Sequence, residues 1–163
     1  MERYKIRIGW EGSHSLEEVI NKMVDGGTNP DWDGNDYGLY QIYGRHILYG
    51  KNTLLYIGMV TEETFSQRFR EHKIWLDYDQ DEEDIKIYLS RIYDPKEHSE
   101  RDNWESWKRD IVISEKILIY KYCHNYNLRE LSYPPLLPFR EVRLIHAGNR
   151  NRLKTKIMFQ KTF

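Results

Sequence analysis

The amino-acid sequence predicts an α+β fold in which a small central antiparallel β-sheet is flanked by helices. Three observations carry that expectation. Two Tyr- and Gly-bearing segments, 38–43 and 53–58, read as strands close enough in the chain to form a hairpin; a third alternating segment follows at 85–89; and apolar residues recur at helical spacing around them. With 163 residues, 39% of them hydrophobic and 14% aromatic, the chain suits one well-buried domain rather than two.

Tyr4 to Trp10 alternates as a strand. Ser15 and Glu18 have the spacing of a capping box, ahead of Leu16, Val19, Ile20 and Met23 on one helical face, and Gly26-Gly27 ends that helix. Residues 28–36 form a loop rich in Pro, Gly, Asn and Asp. After the hairpin, Thr61 is placed to cap a helix with Glu62 and Glu63 in its first turn, Phe65, Phe69 and His72 along one face, and an end near Trp75. Residues 77–84 hold six acids and no base, so they read as a solvated loop. Trp104 to about Asn125 reads as a long helix. Arg140–His146 and Lys156–Lys161 read as a final strand pair around the turn Gly148-Asn149-Arg150.

The formal charge of −1 hides an asymmetry. Residues 1–128 carry 17 basic against 24 acidic side chains, a net of −7, whereas residues 129–163 carry 8 against 2, a net of +6. A concentrated basic arm can hold a phosphate backbone whatever the overall charge, because each neutralised phosphate releases counterions locally. Arg140, Arg143, Arg150, Arg152, Lys154 and Lys156 are its candidate DNA contacts. Cys123 is the only cysteine, which excludes an internal disulfide and a multi-cysteine zinc site and fits a reducing compartment. No run approaches the roughly 20 apolar residues of a membrane span, and the first residues lack the apolar stretch of a signal peptide, so a cytoplasmic protein without membrane contact is expected.

In the later helix, Val112, Glu115, Ile119 and Tyr122 recur at steps of three and four, which sets Glu115 in an otherwise apolar stripe. A carboxylate drawn out of water there requires a cation or hydrogen-bond donors opposite it. A structural ion pair with Arg68 would satisfy that need; so would a metal ion.

Gly38-Leu39-Tyr40 and Tyr56-Ile57-Gly58 on adjacent strands, then a helix with Arg68 and His72 one turn apart, then a helix bearing Glu115 followed by Asn127, together resemble the signature of the GIY-YIG nuclease superfamily. The resemblance spans about 37–128, leaving residues 1–36 as an N-terminal extension and 129–163 as a basic C-terminal extension. It implies a metal-dependent endonuclease acting on DNA, with Tyr40, Tyr56, Arg68, His72, Glu115 and Asn127 as site residues. Glu115 would hold one Mg²⁺, or another divalent cation such as Mn²⁺. Mg²⁺ retains several waters and needs only one or two protein carboxylates. Arg68 would bind a phosphate oxygen, and Tyr40 would serve as general base or water-orienting group with Tyr56 beside it. An ordinary Tyr, with a pKa of about 10, needs Arg68, His72 or the metal to favour its phenolate or take its proton.

The sequence departs from the family pattern in three places. Leu39 stands where Ile is commonest. Tyr40 and Tyr56 lie sixteen residues apart, and the hairpin carries an insertion through Arg45, His46 and Lys51, of which Arg45 and Lys51 are further candidate DNA contacts. Asn127 lies twelve residues beyond Glu115, about 18 Å along an unbroken helix and too far for a shared metal ligand. Asn127 therefore reads better as a helix-terminating or backbone-bracing residue, with Asn125 competing. A compact nuclease with short extensions most resembles the restriction-type members. A stand-alone repair or structure-specific nuclease and a catalytically silent nucleic-acid-binding module are the rival readings. Duplex cleavage by a single-site chain implies a homodimer or two sequential nicks.

Overall fold

The computed structural model describes residues 3–24, 38–93, 104–122 and 134–161. Gly26-Gly27, the 28–36 loop, Cys123, Asn125 and Asn127 lie outside the described residues. Strands β1 (Tyr4–His14), β2 (Gly38–His46), β3 (Gly50–Val60), β4 (Lys86–Tyr93), β5 (Glu141–Gly148) and β6 (Lys156–Gln160) form one sheet in the order β3-β2-β4-β1-β5-β6. Helices α1 (Leu16–Val24), α2 (Phe65–Asp79) and α3 (Trp104–Tyr122) flank it.

The α+β class is as expected, but the sheet is mixed rather than antiparallel. β1 pairs antiparallel with β4 on one side and parallel with β5 on the other, Ile8 lying opposite both Ile92 and His146. Segments read from the sequence as extensions thus contribute β1, β5 and β6 to the same sheet as the hairpin. The alternation in β1 predicts one buried face, and Ile6, Ile8 and Trp10 are indeed buried; it carries no information about which strands occupy its two edges.

Each face of the sheet has its own core. On one, Ile6, Ile8, Trp10, Val142 and Leu144 pack with Ile111, Ile117 and Leu118 of α3. On the other, Tyr40, Ile42 and Leu89 pack with Leu16 and Val19 of α1 and with Phe65, Phe69 and Leu76 of α2. The β2–β3 hairpin belongs to both, because alternate residues of each strand point to opposite faces.

Two local expectations need correction. α2 is capped by Thr64, not Thr61: the Thr64 side chain accepts from the Gln67 backbone N–H, and Gln67 accepts in return from the Thr64 backbone. Glu62 and Glu63 accordingly precede the helix instead of forming its first turn. At the other end α2 runs on to Asp79, and residues 82–84 form a short 3₁₀ turn, so the acidic segment is largely helical rather than a loop, while its acids other than Asp84 are solvent-exposed as expected. Asp84 there pairs with Arg45 (3.1 Å) and Lys51 (3.5 Å), which hold its carboxyl below the usual range. Gln80, the C-cap residue of α2, accepts from the Arg45 backbone N–H and donates to the Arg45 carbonyl, fastening the hairpin to the helix end.

Candidate active site

The two motif glycines have physical explanations in the structure. Tyr40 of β2 lies directly across from Gly58 of β3, and its phenol rests over that glycine. A Cβ on Gly58 would come within 2.3 Å of the Tyr40 hydroxyl and 2.7 Å of the Tyr56 ring. A Cβ on Gly38 would stand 2.1 Å from the Ser90 carbonyl of β4. Ser90 also ties the start of β2 in place, its hydroxyl accepting from the Leu39 N–H and donating to the Leu39 carbonyl at 3.0 Å each.

Tyr40 is 1% exposed, and Phe65, Phe69, His72 and Tyr56 surround its ring. Its hydroxyl lies 2.6 Å from His72 Nε2. Burial first, and then Tyr56, drive its pKa well above the ordinary value; Arg68 pulls it down and Glu115 pushes it up. Tyr40 also shares a side-chain hydrogen bond with Tyr56, the half-buried member of the pair. His72, with 8% of its surface exposed, has its pKa pushed down to about 4 by burial and by Arg68, so it is neutral at physiological pH.

The helix spacing explains this convergence. Phe65, Phe69, His72 and Leu76 recur every three or four residues and form the buried face of α2, with Arg68 and Trp75 on its flanks. Arg68 forms ion pairs with Glu63 (2.5 Å) and Glu71 (3.4 Å), while its Nε is buried with no hydrogen-bond partner. Glu63 was not singled out from the sequence, because its reach to Arg68 depends on the helix starting at Phe65. Trp75, also missed, donates its indole N–H to His72 Nδ1 at 2.8 Å; its sequence signal is its position three residues after His72.

Glu115 is half-buried, as its stripe predicts, although the fully buried line of α3 runs beside it through Ile111, Ser114 and Leu118. Its effect on Tyr40 puts a carboxylate from α3 within electrostatic range of the tyrosine carried by the hairpin. Tyr40, Tyr56, Arg68, His72 and Glu115 thus come together from four elements. Among the described residues, no group of three or more His, Cys, Asp or Glu side chains could hold a metal ion. Glu115 offers a single carboxylate, which matches an ion that keeps most of its water shell.

The predicted DNA contacts separate into two sets. Arg45 and Lys51 spend charge on Asp84. In the basic arm, Arg140, Arg152, Lys154 and Lys156 are exposed, whereas Arg143 packs against Glu141 (3.8 Å) and Met158, and Arg150 is half-buried. The β5–β6 turn curls back toward the hairpin, and the Arg150 carbonyl accepts from Gln41 of β2 at 3.4 Å.

A second buried histidine shares part of this chemistry. His146 of β5 accepts the Trp10 indole N–H on Nδ1 at 2.8 Å, and burial and Arg150 push its pKa down to about 4. Its Nε2 is buried without a hydrogen-bond partner. Among the described residues, no helix is long and apolar enough to cross a membrane. No protein-family model, curated protein or solved structure matches the chain.

Proposed function

We propose that this protein is a metal-dependent endonuclease that hydrolyses phosphodiester bonds in DNA, with a restriction-type role. The convergence of Arg68, His72 and Glu115 on one buried tyrosine, Tyr40, carries the reading. Phosphodiester hydrolysis needs an oriented water, neutralisation of the charge growing on the phosphoryl oxygens, and help for the leaving oxygen. In this scheme Arg68 binds a phosphate oxygen, exchanging Glu63 or Glu71 for the substrate. Glu115 holds Mg²⁺ or a similar divalent cation, which supplies further charge neutralisation at the phosphate.

Tyr40 and Tyr56 act as a pair. Tyr40 is too enclosed to meet bulk water alone, and Tyr56 is the member that reaches the surface. Burial and Tyr56 raise the Tyr40 pKa most and Arg68 lowers it; a cation held by Glu115 would remove only the smaller upward push of its bare carboxylate. The exposed cations of the arm, Arg140, Arg152, Lys154 and Lys156, supply the DNA contacts.

The test is incubation with supercoiled plasmid in Mg²⁺ or EDTA, using the parent and Glu115→Gln. The parent should cut only with Mg²⁺, and discrete bands would mark restriction. Glu115→Gln should lose at least about 10²-fold in rate with an unchanged or higher melting temperature. A loss of roughly 3–5 kcal/mol in stability with cleavage retained would make Glu115 a structural residue and overturn the scheme. Binding without cutting by the parent would leave a silent nucleic-acid-binding module.

A further inference from the structure

We propose that Trp75 is a positioning residue that fixes the direction of the hydrogen-bond chain through the site: it holds His72 in the Nε2–H tautomer, so that His72 donates to Tyr40 and Tyr40 in turn donates to Tyr56. The inference rests on the nuclease reading for its catalytic consequence, and on geometry alone for the tautomer.

An indole nitrogen can only donate. Trp75 Nε1 lies 2.8 Å from His72 Nδ1, so Nδ1 must present its lone pair. A neutral imidazole with a bare Nδ1 carries its proton on Nε2. Nε2 stands 2.6 Å from the Tyr40 oxygen, which is therefore the acceptor. The alternative tautomer, like the imidazolium, would set two N–H groups against each other at the Trp75 contact. With its oxygen accepting from His72, the Tyr40 hydroxyl proton is directed into its hydrogen bond with Tyr56.

The polarity has a chemical consequence. Neutral His72 has no vacant lone pair facing Tyr40, so it cannot be the base that takes the Tyr40 proton. It acts as a donor that stabilises negative charge on the Tyr40 oxygen, and any proton leaving Tyr40 leaves through Tyr56. Trp75 touches none of the reacting atoms and works only through His72.

The test compares the parent with Trp75→Phe, which keeps an aromatic ring and removes the N–H. Nitrogen-15 NMR of the imidazole reads the tautomer, and plasmid cleavage with Mg²⁺ reads catalysis. The parent should show His72 protonated on Nε2 alone, and Trp75→Phe should admit the Nδ1–H form. The variant should lose about 3- to 10-fold in kcat, the worth of one buried hydrogen bond, with little change in KM. If Trp75→Phe fails to fold, site-specific replacement of Trp75 by benzothienylalanine, an isostere without the N–H, provides the same comparison. A parent His72 protonated on Nδ1, a variant with unchanged tautomer, or an altered tautomer with unchanged kcat would each overturn the proposal. A parent that never cuts DNA would overturn the nuclease reading, while the NMR result would still decide the tautomer.

Discussion

Among the described residues the same histidine arrangement occurs twice, at His72 beneath the hairpin and at His146 on β5. In both, a tryptophan indole donates to Nδ1 at 2.8 Å, an arginine stands nearby, and burial pushes the imidazole pKa down to about 4. What differs is the other nitrogen. His72 Nε2 meets Tyr40 at 2.6 Å, whereas His146 Nε2 is buried with no hydrogen-bond partner. A depressed histidine pKa is thus a by-product of burial beside a cation and marks no site by itself. What distinguishes His72 is a titratable partner at hydrogen-bond distance, itself under the influence of Arg68 and Glu115.

Replacing each histidine by phenylalanine should separate the two most sharply. His72→Phe removes the donor to Tyr40 and should slow plasmid cleavage by about 10²–10³-fold, while His146→Phe should stay within a few-fold of the parent. Equal losses in the two variants would erase the distinction.

The resemblance between the two should appear in acid stability. Each histidine has a folded pKa near 4 against 6.5 in the unfolded chain. Between those values the unfolded chain binds the extra proton and the folded chain does not. Stability is therefore fully present above pH 6.5 and falls as the pH drops toward 4, by on the order of 3 kcal/mol per histidine. Denaturant melts at pH 7 and pH 4.5 should show this loss in the parent, and each phenylalanine variant should remove about half of it. An unchanged pH dependence in His146→Phe would mean that its nitrogen finds an acceptor when protonated.

The smallest effect concerns the strand pair that carries His146. Neutralising the exposed Arg152, Lys154 and Lys156 should lower the slope of log Kd against log salt for DNA by up to about 2.7, without altering the acid transition. An unchanged slope would move the DNA surface to the hairpin side.

The hairpin, α2 and α3 were legible in the sequence because their periodicities are local. The place of β1 was not, since its neighbours, β4 and β5, lie far along the chain and alternation does not name partners. The true start of α2 is also written in the sequence: Thr64 and Gln67 have the capping-box spacing that Thr61, with Thr64 three residues on, lacks. Among the site residues, Glu115 could be anticipated as half-buried from its stripe. The role assigned to Trp75 could not, because it depends on which imidazole nitrogen the indole meets.

The bare Cα of Gly58 also bears on how the hairpin assembles. Tyr40 needs a residue without a side chain directly across from it, and in the native alignment Gly58 fills that position. A slip of one residue would bring Ile57 or Met59 opposite, with a Cβ where the phenol must lie, and would send alternate side chains to the wrong face. The tyrosine therefore works as a gauge of correct strand alignment. A hairpin that zips out of step has nowhere to store the Tyr40 ring, so the chemistry of the site and the fidelity of its folding rest on the same empty space.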